Sequence, residues 1–357
     1  MLDDDLQSLI RRLKAKIIRH KKFKLDDEEE YAEGKITLAE LRFRAEKHNA
    51  AIDEAENELQ FYLEQSQESP SVEVTLNIAT PKGYEYVDRI SANRHRLIRT
   101  RDQQEAMLLV GGGKSYLVDR YAVTCEQFVE FLNDICSVNF AHVSEDETQI
   151  CADRHGKLIA VASREPSRQS GIFYEQKRWV CSQSWRMLPI TSVTWWGAVL
   201  YGRWSHNVSL ESQDQIYLLD SNEWLNCAVH DFEMTLYRKY PWGADWNTDA
   251  ANTASYWARK DIYSYQALQS LGFHVKTNFR LLPVDEFANW SSPSGCVQMI
   301  GNVWEWCKNG TSPHGNRRFV KGGAFNSPIE WCDPHYLSDW PVDRPSPYVG
   351  FRCGQVY

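Results

Sequence analysis

Near its C-terminal end the chain reads Gly301-Asn302-Val303-Trp304-Glu305-Trp306, followed by Gly322-Gly323, Cys332, His335 and Gly350-Phe351-Arg352. Glycine lets a backbone take positive φ or approach another group closely. In an extended stretch Trp304 and Trp306 fall on one face and Glu305 on the other. A carboxylate among turned backbone carbonyls suits a hard cation such as calcium, which takes several oxygen ligands in flexible geometry. A buried strand whose Glu305 caps a neighbouring loop accounts for the same residues, and for six residues alone that is the favoured reading. Cys332 and His335 are the residue types of a thiol–imidazole pair. Such a pair must meet in space, and Pro334 between them makes the stretch a turn. The sequence has no CxxC, phosphate loop or serine elbow, and Gly111-Gly112-Gly113-Lys114 lacks the spacing of a phosphate cradle.

The segments that must position these residues recur in order along the chain. Tyr116-Leu117-Val118-Asp119-Arg120-Tyr121-Ala122-Val123-Thr124 precedes Phe128 and Phe131; then come Leu188-Pro189-Ile190, Val193-Thr194-Trp195 and the run from Ala198 to Trp204. Leu218-Leu219-Asp220-Ser221-Asn222-Glu223-Trp224 opens a helix-like stretch, and Tyr240-Pro241-Trp242-Gly243 leads to Ala251-Asn252-Thr253. Taken with the C-terminal residues, these resemble the formylglycine-generating enzyme family, also called the sulfatase-modifying factor family. The resemblance covers residues 105–357 and rests on about eight ordered motifs. It implies an α+β fold, the family's variant of the C-type lectin fold, in which loops outweigh regular elements. Composition agrees: 14 Trp, 17 Tyr and 14 Phe supply the large buried area per residue that packed loops need.

The resemblance also implies a site. Enzymes of this family bind copper(I) through two cysteines that follow the double glycine. Here Cys332 matches the second, and Ser327 stands where the first belongs. A serine hydroxyl is a poor substitute for a soft thiolate, so formylglycine-generating activity is not expected and copper is not expected. The competing reading is an oxygen-dependent metalloenzyme with an altered ligand set, drawn from Cys332, Ser327, Cys353 and His335. The family's iron-dependent sulfoxide synthases take histidines from an added helical domain; the N-terminal helices here offer only His20 and His48. For calcium, the family's ligand positions correspond to Gln298, Ile300, Gly301, Val303 and Glu305, with Asn252 and Thr253 matching part of a second site. No cofactor is required by this reading. Loops held on a rigid frame are good places for recognition, and the interval before Gly350 supplies Trp331, His335, Tyr336, Asp339, Trp340, Arg344 and Tyr348 as binding candidates, aromatic and Arg anchors being the usual hot spots. Buried packing accounts for the same aromatics, and both readings stand at this point.

The N-terminal part differs in kind. Leu6, Ile10, Leu13 and Ile17 make one helical stripe. Thr37-Leu38-Ala39-Glu40 is a capping box opening a second, through Leu41, Ala45, Ile52, Ala55, Leu59 and Tyr62. Residues 1–66 are therefore expected to form a helical hairpin that docks or self-associates. Residues 67–104 read as a linker with an uncertain strand segment, Val72 to Leu76, and a basic run from Arg94 to Arg101. Such a run is usually a solvated face balancing nearby carboxylates; with a net charge of −8, nucleic-acid binding is not expected beyond that local patch. The N-terminal residues are no signal peptide and no stretch is apolar enough to cross a membrane. Nine cysteines in no scaffold-like spacing suggest reduced thiols in the cytoplasm. The expectation is a cytoplasmic, non-catalytic adaptor that recognises a protein partner, in bacterial signalling or defence.

Overall fold

The computed structural model describes residues 80–357, except 92, 112–113, 145–149, 162–170, 213 and 314, together with a few positions between 35 and 49. The chain divides into two compact units, Met1–Ala79 and Thr80–Tyr357. In the first unit the capping box is present: the Thr37 N–H and hydroxyl each donate to Glu40 Oε2 at 2.8 Å, and the Glu40 N–H donates back to Thr37 Oγ1 at 3.3 Å. The remainder of the expected hairpin over 1–66, the linker and the strand segment Val72 to Leu76 lie outside the described residues.

The second unit opens on a five-stranded antiparallel sheet in the order β1-β2-β3-β4-β16. Its strands are β1 (Tyr84–Ser91), β2 (Arg94–Arg99), β3 (Glu105–Gly111), β4 (Lys114–Asp119) and β16 (Gly354–Val356), so the last strand closes on the fourth. The basic run is β2. It was expected to be a solvated face, but period-2 alternation buries His95, Leu97 and Arg99. Arg99 is held between Asp102 and Asp119, both at 2.7 Å, while Arg96 pairs with Asp88 and Arg101 with Asp134. These positive charges are answered within the fold. Because β2 pairs with β3 from Arg94↔Leu109 to Ile98↔Glu105, the domain boundary drawn at residue 105 falls inside the sheet.

Local sequence explains the helices. Helix α1 (Cys125–Ser137) starts at Thr124, whose side chain and that of Gln127 cap each other, and it buries Phe128, Phe131, Leu132 and Ile135. Helix α2 (Trp195–Ser205) begins at Thr194 and is buried on nearly every side; α3 (Ser221–Val229) is opened by the Asp220–Glu223 capping box. Between α1 and α2 lie a three-stranded sheet, β5 (Ala141–Val143), β6 (Ile150–Asp153) and β7 (Leu158–Val161), and a hairpin, β8 (Ile172–Glu175) and β9 (Arg178–Cys181). The pair β10 (His230–Asp231) and β11 (Leu236–Tyr237) follows α3, then the short helices α4 (Ala254–Ala258), α5 (Tyr265–Gln269) and α6 (Phe273–Lys276). A four-stranded sheet in the order β14-β13-β12-β15 ends the unit, with β12 (Trp304–Trp306), β13 (Arg317–Lys321), β14 (Ser338–Pro341) and β15 (Val349–Gly350).

Aromatic packing ties the parts together. Phe128 packs its ring 5.2 Å from Phe131, 5.9 Å from Tyr201 and 6.1 Å from Phe351, joining α1, α2 and the C-terminal segment. Two buried arginines complete the frame. Arg352 donates to Glu305 Oε1 at 2.7 Å, and also to the carbonyls of Asp119, Arg120 and Val297, drawing β4, β12 and the chain end to one point. Among the described residues no helix is long and apolar enough to cross a membrane.

Candidate functional site

The double glycine makes the turn that carries Ser327 and Cys332. Gly322 and Gly323 both lie at positive φ, +94° and +78°, where side chains are strained. Space forbids a side chain as well: a Cβ on Gly322 would sit 2.6 Å from Met299 O, and one on Gly323 would sit 2.7 Å from Cys332 Sγ and 3.4 Å from Ser327 Cβ. Ser327 and Cys332 thus converge on Gly323, the first from the turn after Ala324 and the second from the short 3-10 turn Ile329–Trp331. Their chemistry is not that of a metal pair. Ser327 Oγ accepts the Ala324 N–H at 2.9 Å and closes its own turn. Cys332 is fully buried in an apolar cluster with Leu109, Trp224, Met299 and Cys307, and burial pushes its thiol far above the ordinary thiol range. Copper(I) prefers a pair of soft sulfur donors; here a single thiol stands beside a hard hydroxyl that is already bonded to the Ala324 N–H, so this donor set does not fit copper(I).

The other residues of the oxidase reading lie apart. Cys353 belongs to a different buried cluster, with Phe128 and Tyr201, and its N–H donates to Asp119 Oδ2 at 3.1 Å. His335 is exposed, its N–H donating to Asp333 Oδ1 at 2.7 Å, while Cys332 three residues earlier is sealed. Among the described residues no three His, Cys, Asp or Glu side chains are grouped to hold a metal.

Of the five positions matched to calcium, Gln298, Gly301 and Glu305 have their oxygens engaged by protein donors, and Ile300 and Val303 are buried. Glu305 is 1% exposed; its carboxylate accepts from Arg352 Nε and Nη2 and from Trp224 Nε1, the last at 2.7 Å. A cation there would have to displace a guanidinium. Gln298 directs Nε2 to the carbonyls of Pro283 and Glu286, at 2.7 and 2.9 Å, and its Oε1 accepts from Asn302 Nδ2. Asn302 Oδ1 in turn accepts from Asn252 Nδ2 at 2.9 Å and Leu282 N at 3.0 Å, and the Gly301 carbonyl accepts the Val303 N–H at 2.8 Å. An amide network fixes the 298–305 turn, and Ile300 is buried beneath it. This arrangement does not fit a hard cation.

Beside this turn lies a cleft of about 500 Å³, within the range of small-ligand and peptide sites. Phe325 and Asn326, next to buried Ser327, contribute to it; Tyr265, Leu268, Gln269, Lys276 and Phe279 line it from the α5–α6 segment, and Pro347 and Tyr348 from the segment before β15. The α5 wall is pinned to the 329–331 turn: the Tyr265 N–H donates to Glu330 Oε1 at 2.7 Å, and the Tyr265 ring stacks on Trp331 at 5.3 Å and 20°. Lys276 Nζ donates to the Gln269 carbonyl at 2.9 Å, joining α6 to α5. Across the cleft Phe325 and Tyr348 rings lie 5.6 Å apart. The lining is aromatic with two amide side chains and one ammonium.

Of the binding candidates read from the sequence, Tyr348 lines the cleft and Trp331 braces its wall. The others make local pairs: Tyr336 packs on Trp304 at 6.0 Å, Asp339 accepts from Arg317 Nε at 2.7 Å, and Trp340 Nε1 donates to the Arg344 carbonyl with the Arg344 guanidinium over its ring. Sequence reasoning missed the α5–α6 wall. Its signal was present as an aromatic-bearing stretch, Tyr263, Tyr265, Phe273 and Phe279, between the Asn252 and Gln298 stations.

A protein-family profile described as the sulfatase-modifying factor enzyme 1-like domain matches residues 64–355. The chain is 22% identical over 277 residues to the formylglycine-generating enzyme of Thermomonospora curvata, which covers 67% of this chain and 81% of that protein. It is 25% identical over 178 residues to the hercynine oxygenase of Mycolicibacterium thermoresistibile, covering 44% of this chain and only 33% of that protein. The solved structure of PvdO from Pseudomonas aeruginosa superposes over 74% of this chain and 98% of its own, with a TM-score of 0.46 and 14% identity.

Proposed function

From the premise that the chain belongs to the sulfatase-modifying factor family, with that family's C-type-lectin-like fold, we propose that it is a non-catalytic recognition protein that binds a protein segment in the cleft between the α5–α6 wall and Tyr348. The observation that carries this reading is Ser327: the position that needs a thiolate holds a hydroxyl already bonded to the Ala324 N–H, opposite a Cys332 thiol sealed in apolar packing. Beside that station the cleft keeps what recognition needs: aromatic walls for an apolar side chain, Asn326 and Gln269 for a peptide backbone, and Lys276 for a carboxylate. Residues 1–66 would then dock or self-associate, a cytosolic setting would keep the nine thiols reduced, and neither copper nor calcium would be required.

The test is a selection of displayed peptides against the full chain, repeated with Tyr265→Glu and Tyr348→Glu variants confirmed to be folded. Peptides enriched by the wild type and lost by both variants support the proposal. No enrichment, or peptides retained by both variants, would refute it. A second reading, an oxygen-dependent metalloenzyme, draws on the names of the two relatives; it requires donors beyond Cys332. Stoichiometric copper or iron in protein from its native host, with oxygen consumption in the presence of a thiol, would favour it.

A further inference from the structure

A buried guanidinium normally faces a carboxylate, because an ion withdrawn from water is costly unless it is paired. Arg99 and Arg352 obey this, each with a carboxylate oxygen at 2.7 Å. Arg203, on α2, does not. It is 7% exposed, yet Nε and Nη1 donate only to neutral carbonyls, Gln215 O at 3.0 Å and Leu210 O at 2.9 Å. Among the described residues no carboxylate pairs with it, and burial alone acts on it, pulling its pKa below the ordinary arginine value.

Arg203 lines a cavity of about 670 Å³ between α2 and the β6–β7 turn. On the same lining, Lys157 holds its ammonium 3.9 Å from the centroid of the Trp196 ring. The other charges there are largely engaged. Arg154 pairs with Glu211, and Asp153 accepts the N–H groups of His155 and Lys157 on Oδ1, at 2.8 and 2.9 Å. Trp196, Phe140 and Leu210 supply the apolar part of the wall. The cavity therefore combines a deep cation lacking a counter-ion, a second cation at the rim and an aromatic face.

We propose that this cavity binds a small organic anion, a carboxylate or phosphate monoester carried on a flat apolar body, with Arg203 as the buried counter-charge and Lys157 closing over the anion from the rim. The apolar body lies against Trp196, and the anionic oxygens reach Arg203 Nη2, which makes no hydrogen bond among the described residues. A charge-assisted contact in a desolvated site discriminates strongly against a neutral analogue.

The experiment measures thermal shift and calorimetric binding on the full chain with benzoate, phenyl phosphate, inorganic phosphate and the neutral benzyl alcohol as probes. Expected is a rise in Tm with benzoate or phenyl phosphate and none with benzyl alcohol; which of the two anions binds more tightly identifies the carboxylate or the phosphate. Arg203→Met should weaken that binding by about tenfold or more, while in the absence of probe its Tm changes little, since removal of an unpaired buried charge offsets the lost bonds to the Leu210 and Gln215 carbonyls. If Arg203→Met fails to fold, Lys157→Ala decides, because its exposed side chain is not needed for folding, and it should weaken binding roughly two- to fivefold. Four results would overturn the proposal: no shift with either aromatic anion at about 10 mM, equal binding of benzyl alcohol, inorganic phosphate binding as tightly as the aromatic anions, or unchanged affinity in the variants.

Discussion

Replacing Glu305 by Gln asks whether this carboxylate serves an arginine or a metal ion. The side chain keeps its size, and the amide can still accept one hydrogen bond, but the negative charge is gone. Arg352 is then left as a buried cation, 2% exposed, with only the carbonyls of Asp119, Arg120 and Val297 for company. Breaking a buried ion pair by removing one partner costs about 3–5 kcal/mol. Trp224 Nε1 also exchanges a charged acceptor at 2.7 Å for a neutral one, a loss of about 1 kcal/mol. The total is about 4–6 kcal/mol; for a unit of this size each kcal/mol moves Tm by roughly 2–4 °C, so the expected fall is roughly 8–24 °C. Urea unfolding followed by tryptophan fluorescence should show the midpoint falling with the slope unchanged, since the surface exposed on unfolding is the same.

Two controls separate the explanations. Pairing Glu305→Leu with Arg352→Met should recover part of the loss, because the double change removes both charges; the recovery is partial, since the carbonyls that Arg352 served remain buried. Chelation with EDTA should leave the wild-type Tm unchanged. A Glu305→Gln protein that loses less than about 1 kcal/mol, or a wild type whose Tm drops on chelation, would refute the argument and return Glu305 to a calcium site.

Ser327→Cys should cost about 1 kcal/mol through loss of the bond to the Ala324 N–H and should gain copper(I) affinity in competition with a chromogenic chelator, where the wild type gains none. His206 is half-buried, bonded to the Tyr84 hydroxyl at 2.9 Å and the Gly202 carbonyl at 2.8 Å, and desolvation lowers its pKa from 6.5 to about 3. The unfolded chain therefore takes up a proton that the folded chain refuses, and the stability present above pH 6.5 is lost as pH falls toward 3. Between pH 6.5 and 5 the wild type should lose roughly 1.5–2 kcal/mol relative to a folded His206→Gln variant. An equal acid slope in both proteins would contradict that assignment. Heparin chromatography at low salt should give no retention traceable to β2, and removing Arg94 and Arg96 together should leave the elution position unchanged.

Legibility followed locality. The Thr37–Glu40 capping box and the helix opening around Asp220 were legible because a cap is a contact over two or three residues. The double glycine and the Gly301 turn were legible for a related reason: positive φ is required there, and little else than glycine accepts it. What escaped were long-range pairings. The Arg94–Arg101 run looked like a solvated patch because Asp119, which neutralises Arg99, lies beyond β3 and across the sheet. Glu305 looked like a cation ligand because Arg352 stands 47 positions later. The α5–α6 wall escaped because helices of five and four residues show no periodicity; α5 is held by docking on the 329–331 turn, and α6 is joined to α5 through Lys276, rather than by propensity.

The proposed reading requires that the fold hold without a metal pair at this station. Cys332 closes a cluster with Trp224, Met299 and Cys307, and Ser327 closes a turn on Ala324, so both positions still hold the fold. A cysteine that coordinates must be a thiolate, and a thiolate is incompatible with that apolar cluster unless a cation compensates it. Once serine occupies position 327, a protonated and fully packed Cys332 is the lower-energy arrangement. The walls of the neighbouring cleft are untouched by the change, because Tyr265 rests on Trp331 and Glu330 rather than on the sulfur. On the proposed reading, recognition in the cleft does not depend on the Ser327–Cys332 station. Consistent with that separation, Cys332→Ser should lower stability by leaving a hydroxyl in an apolar cluster, about 1–3 kcal/mol, while peptide binding in the cleft stays within twofold of the wild type. A loss of binding larger than the loss of folded protein would show that the two sites are one.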